Sequence, residues 1–125
     1  RGREQALPGE GLSRVRTHDK LAQICRCIRE QYARPLTLED VAGAYDVSPC
    51  YLSRMFKKMT GLSFSRYRNA VRVACAKGFL AQAGMSVSAV AEQCGFESAT
   101  HFGRVFKEFT GVTPLKYRKS LQKKK

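Results

Sequence analysis

The stretch CGFESATHFGRVFKEFTGVTPLKYR, residues 94–118, decides how the rest of the chain is read. Phe102, Val105, Phe106 and Phe109 fall at i, i+3, i+4 and i+7, the spacing that lines up one buried face of a helix. Ser98 stands where a side-chain oxygen caps a helix start, and Thr110-Gly111 stands where a left-handed glycine ends one. Just upstream, Val87, Val90, Ala91 and Cys94 make a shorter stripe of the same kind, with Gly95 between the two. The spacing predicts a short helix, a tight turn and a second helix. On the side of that second helix away from the phenylalanines lie Thr100, Gly103, Arg104 and Lys107, which are small or basic.

The same plan occurs once more. Residues 36–68 read LTLEDVAGAYDVSPCYLSRMFKKMTGLSFSRYR and residues 86–118 read SVSAVAEQCGFESATHFGRVFKEFTGVTPLKYR. Phe56-Lys57 answers Phe106-Lys107, Thr60-Gly61 answers Thr110-Gly111, and Tyr67-Arg68 answers Tyr117-Arg118, all at an offset of 50. Val41-Ala42 answers Val90-Ala91 at an offset of 49, so the second copy has one extra residue in its central turn. In the first copy Leu38, Val41, Ala42 and Tyr45 form the short stripe and Asp46 turns the chain. Ser48 then caps a helix with Pro49 at its first position. Leu52, Met55, Phe56 and Met59 are expected to face the core. Cys50, Ser53, Arg54 and Lys57, rotated by about 200°, are expected to face out. Stacked solenoids need three or more units, so two copies imply two separate modules.

Outward from the repeat, the chain reads as all-α. Leu21, Ile24, Cys25 and Ile28 predict a first helix over about 18–32, stopped by Pro35. Phe64, Tyr67, Arg68, Val71, Cys75 and Phe79 predict one connecting helix over about 63–82. No segment alternates as a strand does, and no Asn-Gly or Asp-Gly hairpin turn occurs. The expected organisation is a linker over 1–16 leading in from an upstream segment, a first module over 17–62, the connecting helix, a second module over 83–121, and a basic tail over 122–125.

Composition narrows the function. Lys and Arg number 23 against 10 Asp and Glu in 125 residues, a net charge of +13 that calls for an anionic partner, with nucleic acid first. No apolar run reaches the roughly 18 residues that cross a membrane. Five cysteines without framework spacing argue against a disulfide scaffold and for the reducing cytoplasm. Cys25 and Cys27, two apart on a helix, point to different faces and cannot converge on one metal ion. There is no Ser/His/Asp set, paired acidic cluster or phosphate-cradling glycine loop, so the chain reads as no enzyme and as needing no cofactor.

The runs SPCYLSRMFKKMTG and CGFESATHFGRVFKEFTGVTPLKYR resemble the C-terminal DNA-binding domain of AraC/XylS-type transcription regulators, and the resemblance covers about residues 18–120. It implies seven helices and two helix-turn-helix units that read one double-stranded DNA segment, with sequence-specific binding that regulates transcription. Base contacts then fall on Cys50, Ser53 and Arg54 in the first module and on Thr100, Gly103 and Arg104 in the second. Either arginine can grip guanine O6 and N7 with two hydrogen bonds, and Thr100 can bond a base or pack on a thymine methyl. Phosphate contacts fall on Ser48, Lys57, Lys58, Ser98, His101 and Lys107. Cys50, Ser53 and Gly103 are smaller than the residues the family often places there, which shifts weight towards shape and phosphate readout. Activators of this kind also contact RNA polymerase. Some members carry a ligand-sensing or dimerising domain ahead of this one, so the fragment is expected to be monomeric and dimerisation is expected through the missing N-terminal domain. The competing expectation is a cationic protein that binds nucleic acid without sequence choice.

Overall fold

A computed structural model describes the backbone of residues 10–123 and the side chains of residues 19–122. Among the described residues there are seven helices: α1 (Glu10–Gln31), α2 (Leu38–Ala44), α3 (Pro49–Thr60), α4 (Phe64–Leu80), α5 (Val87–Gln93), α6 (Ala99–Thr110) and α7 (Pro114–Lys123). None is long and apolar enough to cross a membrane.

Local chemistry sets the helix ends, at Ser48, Ser98, Gly61 and Gly111 as expected and at further caps besides. Thr37 and Asp40 form a reciprocal capping box at α2, with Thr37 Oγ1 accepting from the Asp40 amide at 3.0 Å and the Asp40 carboxylate accepting from the Thr37 amide at 3.3 Å. Ser48, Ser63, Ser86, Ser98 and Thr113 each accept the amide three residues on, at 3.0–3.2 Å. Gly61 at φ +81° and Gly111 at φ +85° end α3 and α6. The threonine before each glycine donates to a carbonyl one turn back, Thr60 to Phe56 at 2.7 Å and Thr110 to Phe106 at 2.8 Å.

Two cores result. Leu21, Ile24 and Ile28 of α1 meet Val41 and Ala42 of α2, Leu52 and Phe56 of α3, and Phe64 of α4. Val73, Ala76 and Leu80 of α4 meet Val90, Ala91 and Cys94, Phe96, and Phe102, Val105 and Phe106 of α6. The repeat is visible in the packing: Tyr67 sets its ring edge-on to Phe56 at 5.2 Å, and Tyr117 does the same to Phe106 at 5.5 Å.

Three expectations change. α4 has no single apolar stripe: Phe64, Tyr67 and Val71 serve the first core, and Val73, Ala76 and Leu80 the second. A helix bridging two cores must change its buried face, here between positions 71 and 73, so Cys75 and Phe79 are only half-buried. Met59 is 39% exposed in the last turn of α3 and does not join the first core. The first helix, expected over about 18–32, begins at Glu10, since adding a turn to an existing helix is far easier than starting one; residues 1–9 of the expected linker lie outside the described residues, as do Lys124 and Lys125 of the expected basic tail.

Candidate nucleic-acid interface

Each module holds its second helix across its first by a turn that needs a left-handed residue. Asp46 takes φ +60° between α2 and α3, and Gly95 takes φ +92° between α5 and α6. The amide after each turn residue bonds back in the same way, Val47 to the Ala42 carbonyl and Phe96 to the Ala91 carbonyl, both at 3.0 Å. The turns therefore match, and the extra residue of the second copy is Glu97, placed after the turn and ahead of the Ser98 cap.

With the buried faces of α3 and α6 fixed by Leu52 and Phe56 and by Phe102, Val105 and Phe106, the opposite faces carry the predicted site. Cys50, Ser53, Arg54, Lys57 and Lys58 are exposed along α3. Thr100, Arg104 and Lys107 are exposed along α6, and Gly103 lies half-buried between them. A Cβ on Gly103 would meet nothing within 4 Å, so packing inside the protein does not demand a glycine there. Ser48 and Ser98 use an acceptor lone pair in capping, which leaves each O–H available to donate. His101 is half-buried, its ring edge-on to Phe96 at 5.6 Å and its Nδ1 buried without a hydrogen-bond partner, so only Nε2 can reach a ligand. Tyr51, at the position matching His101, is exposed beside Cys50.

Three arginines that the charge balance offers to an anion are used inside the protein. Arg68 donates to the Leu36 carbonyl at 2.6 Å, and Arg118 donates to the Leu80 and Gln82 carbonyls at 2.8 and 3.3 Å. Arg72 is 4% exposed and donates to the Tyr32 and Arg34 carbonyls at 2.7 and 3.1 Å. Arg72 and Arg118 serve carbonyls at and just after a helix C-terminus, where the helix dipole favours positive charge, while Arg68 serves the carbonyl ahead of the Thr37 cap of α2. Burial, and next the charge of Arg68, push the Arg72 guanidinium down to about 10, which leaves it protonated at neutral pH. The Tyr-Arg pairs of the repeat carried the signal for Arg68 and Arg118. For Arg72 the signal was its place one turn beyond Arg68, flanked by Val71 and Val73.

Residues 41–120 match the family model described as a helix-turn-helix domain. The uncharacterized HTH-type transcriptional regulator YpdC of Escherichia coli is 37% identical over 94 residues, covering 75% of this chain and 33% of that protein. Across the curated relatives compared, the chain spans between 12% and 39% of their length. A solved transcriptional regulator with an AraC-type DNA-binding domain, from Chromobacterium violaceum, superposes with a TM-score of 0.75 at 28% identity, over 83% of this chain and 93% of that one. The DNA-binding domain of the global transcriptional factor AdpA, solved in complex with a target DNA, superposes with a TM-score of 0.80 at 25% identity, over 85% of this chain and 96% of that one. With its two matched turns, outward basic faces and bridging helix, the chain belongs to the AraC-type helix-turn-helix family of transcription-regulator DNA-binding domains, which is not an enzyme family.

Proposed function

We propose that this chain is the promoter-reading part of a larger transcription regulator and that both modules engage one face of a single duplex. The observation that carries this reading is the pair of outward faces on α3 and α6, set at the same place in each module and rich in arginine and lysine. Cys50, Ser53 and Arg54 meet base edges in one major-groove segment, and Thr100, Gly103 and Arg104 in the next, about 34 Å along the duplex. Ser48, Lys57, Lys58, Ser98, His101 and Lys107 hold phosphates to either side, the two serines adding a hydroxyl donor at a positively polarised helix start. RNA polymerase as a second partner, a monomeric fragment within a dimeric whole, and action in the cytoplasm complete the proposal. The five free cysteines agree with a reducing compartment.

Selection of bound sequences from a random duplex library tests it, together with a salt titration on the selected site. On the order of 5 to 8 phosphate contacts should make log K fall against log salt with a slope of about −0.9 per contact. The library should return two recurrent segments about one helical turn apart. A steep slope with no recurrent sequence would instead establish a cationic protein without sequence choice, and a slope near zero would end the nucleic-acid reading.

A further inference from the structure

Taking the two-helix reading of one duplex as given, we infer that the connection between α1 and α2 clamps the modules together and thereby sets the one half-site spacing the protein accepts, with Arg72 and Gly95 as its positioning residues. α4 alone would be a slender joint, since it gives each module a different face. The connection adds a second joint. It leaves α1, whose side chains fill the first core, yet its Tyr32 packs against the second core. Its Ala33 backbone runs so close to the second module's turn that a Cβ on Gly95 would fall 2.5 Å from the Ala33 oxygen and 2.8 Å from its Cα. Arg72 ties the two from α4: it donates to the carbonyls of Tyr32 and Arg34 while its guanidinium lies over the Phe96 ring, 5.5 Å from the centroid. A third tie lies in the first turn of α4, where the Arg66 guanidinium sits 4.7 Å from the centre of the Phe109 ring on α6.

Ties at the first turn and at the middle of α4 remove the hinge that a single bridging helix would leave. The separation of α3 and α6 is then a property of the free protein. One base pair inserted between the half-sites moves the second by about 3.4 Å and turns it about the duplex axis by roughly a tenth of a turn, which a jointed pair could follow and a clamped pair cannot.

The full chain tests this in two ways. Spin labels on Cys50 and on Thr100→Cys, with Cys25, Cys27 and Cys75 replaced by alanine, report the separation of the reading helices without DNA. Binding to the selected duplex and to versions one base pair longer or shorter reports the spacing preference. The clamped protein should give one narrow distance and lose at least tenfold on either altered duplex. Arg72→Gln should broaden the distance and cut that loss below threefold. Arg66→Ala, which leaves both cores intact, should do the same to a smaller degree and decides the matter if Arg72→Gln does not fold. A distance that stays narrow in the folded variants, or an unchanged spacing loss, overturns the clamp. A starting protein that binds all spacings alike also overturns it. Failure to bind any duplex overturns the DNA reading instead, while the distance measurement still judges the clamp.

Discussion

The first module turns on Asp46 at φ +60° in open surroundings, whereas the second turns on Gly95 at φ +92° with the Ala33 backbone against it. Their reading helices diverge too. α3 presents Cys50 and Ser53 ahead of Arg54, Lys57 and Lys58, so its outward face is strongly cationic, with the Ser53 hydroxyl among few uncharged polar groups. α6 presents Thr100, Arg104 and Lys107, with Glu108 in place of the second lysine and His101 ahead of the arginine. α6 buries Phe102, Val105 and Phe106, and α3 buries only Leu52 and Phe56. We propose that the duplicated plan is used unequally: both helices meet bases and phosphates, with α6 carrying more of the base reading through the polar groups around Arg104 and α3 more of the attraction to phosphate.

The largest effect expected from this difference is on stability. Gly95→Ala forces an alanine into a left-handed backbone and against the Ala33 carbonyl, and should cost about 3 kcal/mol in urea unfolding. A loss below about 1 kcal/mol would show that the two turns are equivalent after all.

Next comes the reading of bases. Arg104→Ala should lose about 1–3 kcal/mol on the selected duplex and much less on a scrambled one, with choice relaxed at one position. Arg54→Ala should show the same preference for the selected duplex, to a smaller degree, if α3 also reads bases directly; a loss equal on both duplexes, with the salt slope reduced by about one contact, would make Arg54 a phosphate contact. Equal losses for Arg104→Ala on both duplexes would make Arg104 a phosphate contact and end the difference proposed between the helices.

Gly103 sharpens the comparison, since Ser53 fills the matching place on α3. With open space at its Cβ position, Gly103→Ala should stabilise the free protein by about 1 kcal/mol through helix propensity. If α6 approaches the duplex closely, the same variant binds the selected site more weakly despite its greater stability. Unchanged binding in a calorimetric titration would mean that the glycine serves no approach. The smallest effect belongs to the first turn: Asp46→Gly relieves a left-handed residue but frees the unfolded chain, for a net gain of a few tenths of a kcal/mol in thermal unfolding.

Much of the candidate site was legible because exposure on a helix follows from period alone. Once Phe102, Val105 and Phe106 are inside, Thr100, Arg104 and Lys107 are outside, and the structure places them so. The stripes of α2 and α5 were equally plain. The stripe of α4 was not, because a 3.6-residue period describes one buried face and α4 has two. The inward use of Arg68, Arg72 and Arg118 was missed because charge counting treats every basic residue alike, although the repeated Tyr-Arg pairs and the valines flanking Arg72 held the signal.

By itself the sequence determined the helical elements, the capped ends of α3 and α6, the duplicated plan and the outward faces, all of which depend on neighbours within a few positions or on the repeat of a pattern. Only the tertiary structure decided that the connection after α1 lies against the turn of the second module, that Gly95 is required there for space as well as for φ, and that Arg72 joins the two modules. Tyr32 and Arg72 are 40 positions apart, and Ala33 and Gly95 farther still. Contacts at such separations follow from how two finished cores settle against one helix, and no local period records that.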